Sequence, residues 1–128
     1  MKPTLKKCNW SDDSLKWHEA EIQAAIVQWL RRSKILFTSD LAGVKLSRGQ
    51  AMKAKVGGMI SGHPDITIWL DTGKVIFIEL KNGTGTVSAT QKTRHKDLKR
   101  LGFEVHVVKV KCPQQGVNAV KDIVKDKV

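Results

Sequence analysis

The stretch VIFIELKNG, residues 75–83, decides how the rest of the sequence folds. Its four opening apolar residues are typical of a strand that is buried on both faces. Glu79 and Lys81 follow on either side of Leu80, and an Asn-Gly pair ends the run. Side chains two residues apart point to the same face of a strand, so Glu79 and Lys81 share one face and Leu80 takes the other. A carboxylate and an ammonium group therefore lie at the end of a core strand.

The strand before this one is DITIWL, residues 65–70, and the loop between the two strands sets their register. A two-residue loop would put Asp65 opposite Leu80. A three-residue loop, Asp71-Thr72-Gly73, suits a type I turn followed by a bulge, in which the final glycine is left-handed. That loop places Asp65 opposite Glu79. The turn chemistry therefore predicts two carboxylates on one face of the sheet, together with the lysine.

Two carboxylates about 5 Å apart on a half-buried sheet repel each other unless a positive charge lies between them. Lys81 supplies part of that charge, and a divalent ion would supply more. Oxygen ligands without a cysteine or histidine favour Mg²⁺ or Mn²⁺ over zinc. Lys81 is then placed to orient an attacking water or to stabilise developing negative charge. The simpler interpretation is a solvated strand end with an ion pair.

The remaining segments predict a single α/β domain. Hydrophobic periodicity and turn residues indicate a first helix from Ser11 or Asp12 to about Ser33, with Leu15 on its apolar stripe. A strand at 34–38 and a loop or hairpin across 44–56 follow. After the two acidic strands come a helix at 88–101, a strand at 103–110 and an amphipathic helix after Pro113. We expect a mixed β-sheet flanked by helices, with an αβββαβ core plus a C-terminal helix. Residues 1–13 form a basic N-terminal arm, and residues 14–128 form the domain.

The charge of the chain indicates an anionic partner. Its 23 Lys and Arg residues against 12 Asp and Glu residues give a formal net charge of +11, which favours nucleic acid. We expect no membrane partner, which is the weaker option because no apolar stretch approaches the roughly 20 residues that span a bilayer. The default interpretation of each basic residue is that it lies on a solvated face. Two groups of basic residues, however, flank the acidic strands, and this position predicts contacts with DNA phosphates. The groups are Lys45, Arg48, Lys53 and Lys55 before the strands, and Lys92, Arg94, Lys96, Lys99 and Arg100 after them.

The segment from GHPDITIW through VIFIELKNG to the strand at 103–110 resembles the virus-type replication-repair nuclease (VRR-NUC) domain of the PD-(D/E)xK nuclease superfamily. Pro64-Asp65 and Glu79-Leu80-Lys81 match its two-part signature, and the resemblance covers roughly residues 17–110. It implies a restriction-endonuclease-like fold. It also implies that Asp65, Glu79 and the Leu80 carbonyl hold the metal and that Lys81 is the catalytic lysine.

The resemblance also implies a glutamate on the first helix and a glutamine on the helix after the lysine strand. Glu19 and Glu21 both fit the first position. We choose Glu19 because it shares the buried side of the helix with Ile22. Gln91 fits the second position, although Ser88 and Gln91 also form a capping-box pattern in which the glutamine only satisfies the start of the helix.

Together these observations predict a metal-dependent, structure-selective endodeoxyribonuclease that hydrolyses phosphodiester bonds in branched DNA. It would resemble a Holliday-junction resolvase of phage-type replication and repair. We expect it to act in the cytoplasm, or in the cytoplasm of the host cell if a phage encodes it. Resolving a four-way junction takes two opposed cuts, so we expect a homodimer, with the last helix as a candidate interface. The alternatives are a non-catalytic basic DNA-binding protein on a nuclease fold, or a site-specific restriction-type endonuclease.

Overall fold

A four-stranded mixed sheet forms the centre of the computed structural model, which describes residues 10–39, 47–58, 62–83 and 85–126. The strands lie side by side in the order of the chain: β1 (Leu36–Ser39), β2 (Ile66–Leu70), β3 (Lys74–Asn82) and β4 (Glu104–Val110). β1, β2 and β3 are antiparallel neighbours, whereas β3 and β4 are parallel. The predicted α/β fold with a mixed sheet is confirmed.

In the described part of the chain, four α-helices surround the sheet: α1 (Glu19–Arg32), α2 (Arg48–Val56), α3 (Ala89–Arg100) and α4 (Pro113–Asp126). α1 and α4 pack on each other and on one sheet face, where their buried residues join the main core. Gly116 permits this close packing, because a Cβ atom there would lie 2.7 Å from Ile22 Cγ2. α3 connects β3 to β4 and buries His95 and Leu98.

The register of the β2–β3 hairpin agrees with the three-residue loop. Leu70 pairs with Lys74 and Ile66 pairs with Ile78, so the same register carried one residue further puts Asp65 beside Glu79. The loop itself differs from the predicted type I turn with a bulge, since Thr72 is left-handed (φ 65°) as well as Gly73 (φ 77°). The length of the loop, rather than its turn type, therefore determined the correct pairing.

Two predictions for the first half of the chain were wrong. The part of the predicted loop or hairpin 44–56 that is described is helical: α2 begins after Ser47, whose hydroxyl accepts a hydrogen bond from Gln50 N at 3.1 Å. α1 begins at Glu19, not near Ser11 or Asp12. The Asp12 carboxylate instead accepts a hydrogen bond from Ser14 N, at 2.9 Å, which closes a turn before the helix.

Residues at the start of the chain also pack on the domain. Residues 1–9 of the predicted basic arm lie outside the described residues, but Trp10 packs against the core and its carbonyl accepts a hydrogen bond from Gln114 N. Leu15, predicted on the helical stripe, precedes α1 and is exposed. Within the described ranges, no helix has the length and apolar character needed to cross a membrane.

Candidate active site

Asp65 is held in place by the short segment that leads into β2. Gly62 packs directly on the start of α3, where an added Cβ atom would lie 2.6 Å from the Thr90 carbonyl oxygen, and its φ of +83° also favours glycine. The next residue, His63, places its ring edge-on to Phe77, with centroids 5.4 Å apart. This segment therefore fixes Asp65 against both the sheet and α3.

Two carboxylates contact the part of β3 that extends beyond the end of β2. Asp65 Oδ2 accepts a hydrogen bond from Leu80 N at 2.7 Å, and the Glu19 carboxylate accepts one from the backbone of Asn82. The strand β2 begins opposite Ile78, so these two amides have no partner in β2. The backbone amides at this unpaired edge of β3 therefore bind two carboxylates, Glu19 from α1 and Asp65 from the segment before β2.

Glu79 lies at the centre of this cluster and is almost completely buried, with 1% of its surface exposed. Its Oε2 accepts a hydrogen bond from Gln91 Nε2 at 3.0 Å and lies 3.8 Å from Lys81 Nζ. Its Oε1 lies 3.3 Å from His95 Nε2. Two side chains of α3 and one of β3 therefore restrain the glutamate from different sides.

The surroundings of Glu79 favour its protonated form. The pKa of Glu79 is raised to about 8, chiefly by burial and then by the negative charge of Asp65 and a hydrogen bond to it, whereas the Lys81 ammonium opposes these effects. Burial, followed by the charge of Asp65, also raises the pKa of Glu19 above its ordinary value. At neutral pH the cluster therefore retains a proton that a positive ion could displace.

Gln91 makes both of the contacts that the sequence left open, one at the start of α3 and one with Glu79. Its Oε1 accepts a hydrogen bond from Ser88 N at 2.8 Å, and Ser88 Oγ in return accepts one from Gln91 N, which completes the capping box. Its Nε2 is still free to donate to Glu79. The capping interaction and the contact with the site thus use different ends of one amide.

Of the two glutamates on α1, Glu19 is the one that approaches the site. The charges of Asp65 and Lys81 both act on its carboxyl group, whereas Glu21 Oε1 accepts a hydrogen bond from His18 N at 2.9 Å at the start of the helix. His95 is a further contact of Glu79 that the sequence motifs did not predict. Its spacing of one helical turn from Gln91 was the available signal.

Comparison with known proteins supports the relationship suggested by these motifs. The family model of the VRR-NUC domain matches residues 9–112, most of the chain. The chain belongs to the VRR-NUC family. A solved structure described as a VRR-NUC domain protein superposes with a TM-score of 0.64 at 23% identity, covering 87% of this chain and 92% of that one. A second, described as a VRR-NUC domain, gives 0.54 at 22% identity, covering 80% and 94%. No curated protein matches significantly.

The donor set of this VRR-NUC domain fits a hard divalent cation. Within the described ranges no three His, Cys, Asp or Glu side chains are already grouped as a metal site, but Asp65 and Glu79 are close enough to share a hydrogen bond. The N–H and C=O of one strand residue face the same neighbouring strand. Since Leu80 N–H points to Asp65, the Leu80 carbonyl oxygen also faces that side. Three oxygen donors of the type preferred by Mg²⁺ thus converge.

The basic residues of the VRR-NUC domain fall into two groups. Arg48, Lys53 and Lys55 are exposed on α2, which buries none of its residues, and Lys45 lies outside the described residues. On α3, Lys92, Lys96, Lys99 and Arg100 are exposed, whereas Arg94 is half-buried. The Arg94 Nε is buried without a hydrogen-bond partner in the described part of the chain.

Proposed function

We propose that this VRR-NUC chain is a metal-dependent, structure-selective endodeoxyribonuclease that hydrolyses phosphodiester bonds in branched DNA. The observation that carries the proposal is the convergence of Asp65, Glu79 and Lys81 at one end of the sheet, where Glu79 is buried and fixed by Gln91. A buried carboxyl group with a strongly raised pKa beside a second carboxylate is typical of a functional site.

Each residue of the cluster has a proposed role. Asp65, Glu79 and the Leu80 carbonyl would hold Mg²⁺ or Mn²⁺, and the bound ion would supply Lewis-acid stabilisation of the phosphate oxygens. Lys81, whose ammonium lies 3.8 Å from Glu79, would orient the attacking water and stabilise the negative charge that develops on the phosphate. Gln91 would keep the Glu79 carboxylate directed at the ion. Glu19 adds a third carboxyl group at the same edge of β3.

The proposed substrate is DNA, because the net charge of +11 and the exposed lysines and arginines of α2 and α3 suit a phosphate backbone. Contacts of this kind position a substrate without reading its sequence, which favours recognition of DNA shape. Affinity should therefore fall steeply as the salt concentration rises. The cytoplasm, of the host cell if a phage encodes the chain, is the proposed place of action.

A Lys81→Ala variant tests the catalytic assignment. Cleavage with Mg²⁺ should be compared on a four-way junction, a flap, a splayed duplex and a linear duplex, with binding measured in parallel. We expect kcat to fall by about 10²–10³-fold while binding persists, because Lys81 acts on charge that develops in the transition state. Lys109→Ala is the matched control, since Lys109 pairs with Lys81 across the β3–β4 register and is exposed. It should retain the wild-type kcat.

Three results would contradict this proposal in different ways. Normal cleavage by Lys81→Ala would show that the catalytic assignment is wrong. DNA binding without cleavage of any substrate, with either Mg²⁺ or Mn²⁺, would show a non-catalytic DNA-binding protein. Cleavage of linear duplex at a fixed sequence would indicate a restriction-type enzyme.

We further propose a homodimer, because two opposed cuts at a junction require two sites. The apolar side of α4, the candidate interface, packs inside the subunit, since Val117, Val120 and Val124 belong to the core. The interface would then use another surface. Light scattering that shows a monomer at the concentrations used for cleavage would exclude a resolvase that cuts as a stable dimer.

A further inference from the structure

A groove along the exposed side of α3 lies immediately beside the acidic cluster. It encloses about 470 Å³, and its lining includes Lys92, His95, Lys96, Lys99, Val87 and Val107. Val107 is the residue of β4 that pairs with Glu79 of β3, and the His95 ring contacts Glu79 at 3.3 Å. This α3 groove therefore shares one wall with the proposed active site.

The charge in the α3 groove has one sign. Lys92, Lys96 and Lys99 follow one another at intervals of four and three residues, so they lie along a single side of the helix, and all three are exposed. No acidic residue of the described chain lines the groove. Lys92 follows Gln91, whose side chain donates to Glu79, so Lys92 is at the end of the row that adjoins the acidic cluster.

The floor of the α3 groove is apolar, and this distinguishes it from an ordinary basic surface. Val107 is 44% exposed in the middle of a strand, and Val87 also contributes to the lining. A DNA duplex presents its phosphates outward and keeps its bases stacked inside, so it offers an apolar floor little beyond thymine methyl groups and sugar edges. An unpaired strand presents phosphates, sugars and base faces together.

We infer that the α3 groove binds the unpaired strand next to the scissile phosphate, with Lys92, Lys96 and Lys99 on its phosphates and Val87 and Val107 against sugars and bases. The inference rests on the proposed nuclease function and specifies its substrate: DNA that is single-stranded on one side of the cut. A preference for flaps and splayed arms over fully paired DNA would then follow from the groove, because only those substrates carry an unpaired strand beside the branch.

Binding measured in EDTA tests the groove without requiring cleavage. The probes are a short fluorescent oligo-dT and a hairpin duplex of equal length, titrated at several salt concentrations. The Lys96→Ala/Lys99→Ala variant should bind oligo-dT more weakly, and the slope of log affinity against log salt should decrease in magnitude by about 1.4, since two phosphate contacts are lost. Lys121→Ala/Lys125→Ala removes the same charge from α4, on the opposite sheet face, and should leave the slope unchanged.

A pair of substitutions at the floor gives a second readout. Val107→Glu and Val107→Lys add side chains of similar size and opposite charge at a site that is already half exposed. We expect Val107→Glu to abolish most oligo-dT binding and Val107→Lys to retain it, with little change in the weaker binding of the duplex. Equal effects of the two lysine pairs, or a larger effect on the duplex than on oligo-dT, would overturn the inference.

The outcomes separate this inference from the proposed function. If the wild-type chain cuts no DNA but binds oligo-dT through the groove, the groove remains and the nuclease assignment fails. If the wild-type chain cuts branched DNA while the groove variants bind and cut like their controls, the nuclease assignment remains and the groove inference is wrong.

Discussion

Replacing Glu79 with glutamine should change how the stability of the metal-free protein depends on pH. The pKa of Glu79 is raised from an ordinary value of 4.5 to about 8, chiefly by burial. Between these two values the folded protein retains a proton that the unfolded chain has released. The folded state therefore binds more protons, and the free energy of unfolding must fall as pH rises through this interval. Glutamine resembles the protonated acid and has no such dependence.

The size of this change in the free energy of unfolding follows from the binding of one proton. Each pH unit within the interval lowers the free energy of unfolding by up to about 1.4 kcal/mol. A rise from about pH 6 to about pH 7.5 should therefore cost about 2 kcal/mol. For a domain of 128 residues this corresponds to a decrease in Tm of roughly 6–10 °C. Since Glu79 is 1% exposed, solvent screens the effect only weakly.

The assay is urea denaturation in EDTA at a series of pH values, with wild type and Glu79→Gln measured side by side. Their difference removes the titration of all other groups. Asp122→Asn, an exposed carboxylate on α4, controls for loss of one negative charge and should run parallel to the wild type. Mg²⁺ should restore wild-type stability most strongly at high pH, because it displaces the proton. A wild-type minus Glu79→Gln difference that stays constant from about pH 6 to about pH 8 would refute the reasoning.

Three glycine-to-alanine substitutions test the packing around the site. Gly62→Ala should destabilise the fold by about 2 kcal/mol or more, because its Cβ would meet the Thr90 backbone and its φ is positive; cleavage by the folded protein should also fall. Gly116→Ala should cost about 1–3 kcal/mol through its clash with Ile22, while cleavage per folded molecule stays normal, which a kinetic assay below Tm would show. Gly49→Ala, with nothing within 4 Å on helix α2, should stabilise by up to about 1 kcal/mol in thermal unfolding.

Much of the sheet could be predicted because its signals are local. The apolar run of β3 and the three-residue loop were sufficient to bring Asp65 and Glu79 to the same face. The helix α2 was missed because it buries none of its residues, so hydrophobic periodicity carried no signal there. Its local cues were the capping pattern of Ser47 and Gln50 and the good helix formers of the segment 48–56.

The sequence predicted which residues belong to the candidate site better than it predicted the contacts between them. Spacing alone could place Gln91 and His95 on one side of α3, but not at contact distance from Glu79, which depends on how α3 crosses the sheet. The packing of Gly62 on Thr90 is a contact of the same kind. Interactions between segments that are distant in sequence require the tertiary structure.

The single amide of Gln91 joins the first turn of α3 to the buried acid. Fraying of that turn would open the cap and release the Gln91 hydrogen bond to Glu79 in the same event, whereas fraying at the far end of the helix would leave this hydrogen bond in place. Hydrogen exchange at the first amides of α3 should therefore slow when an ion orders the glutamate. Local unfolding at the first turn of α3 would then determine the fraction of time for which the Glu79 carboxylate is correctly positioned for catalysis.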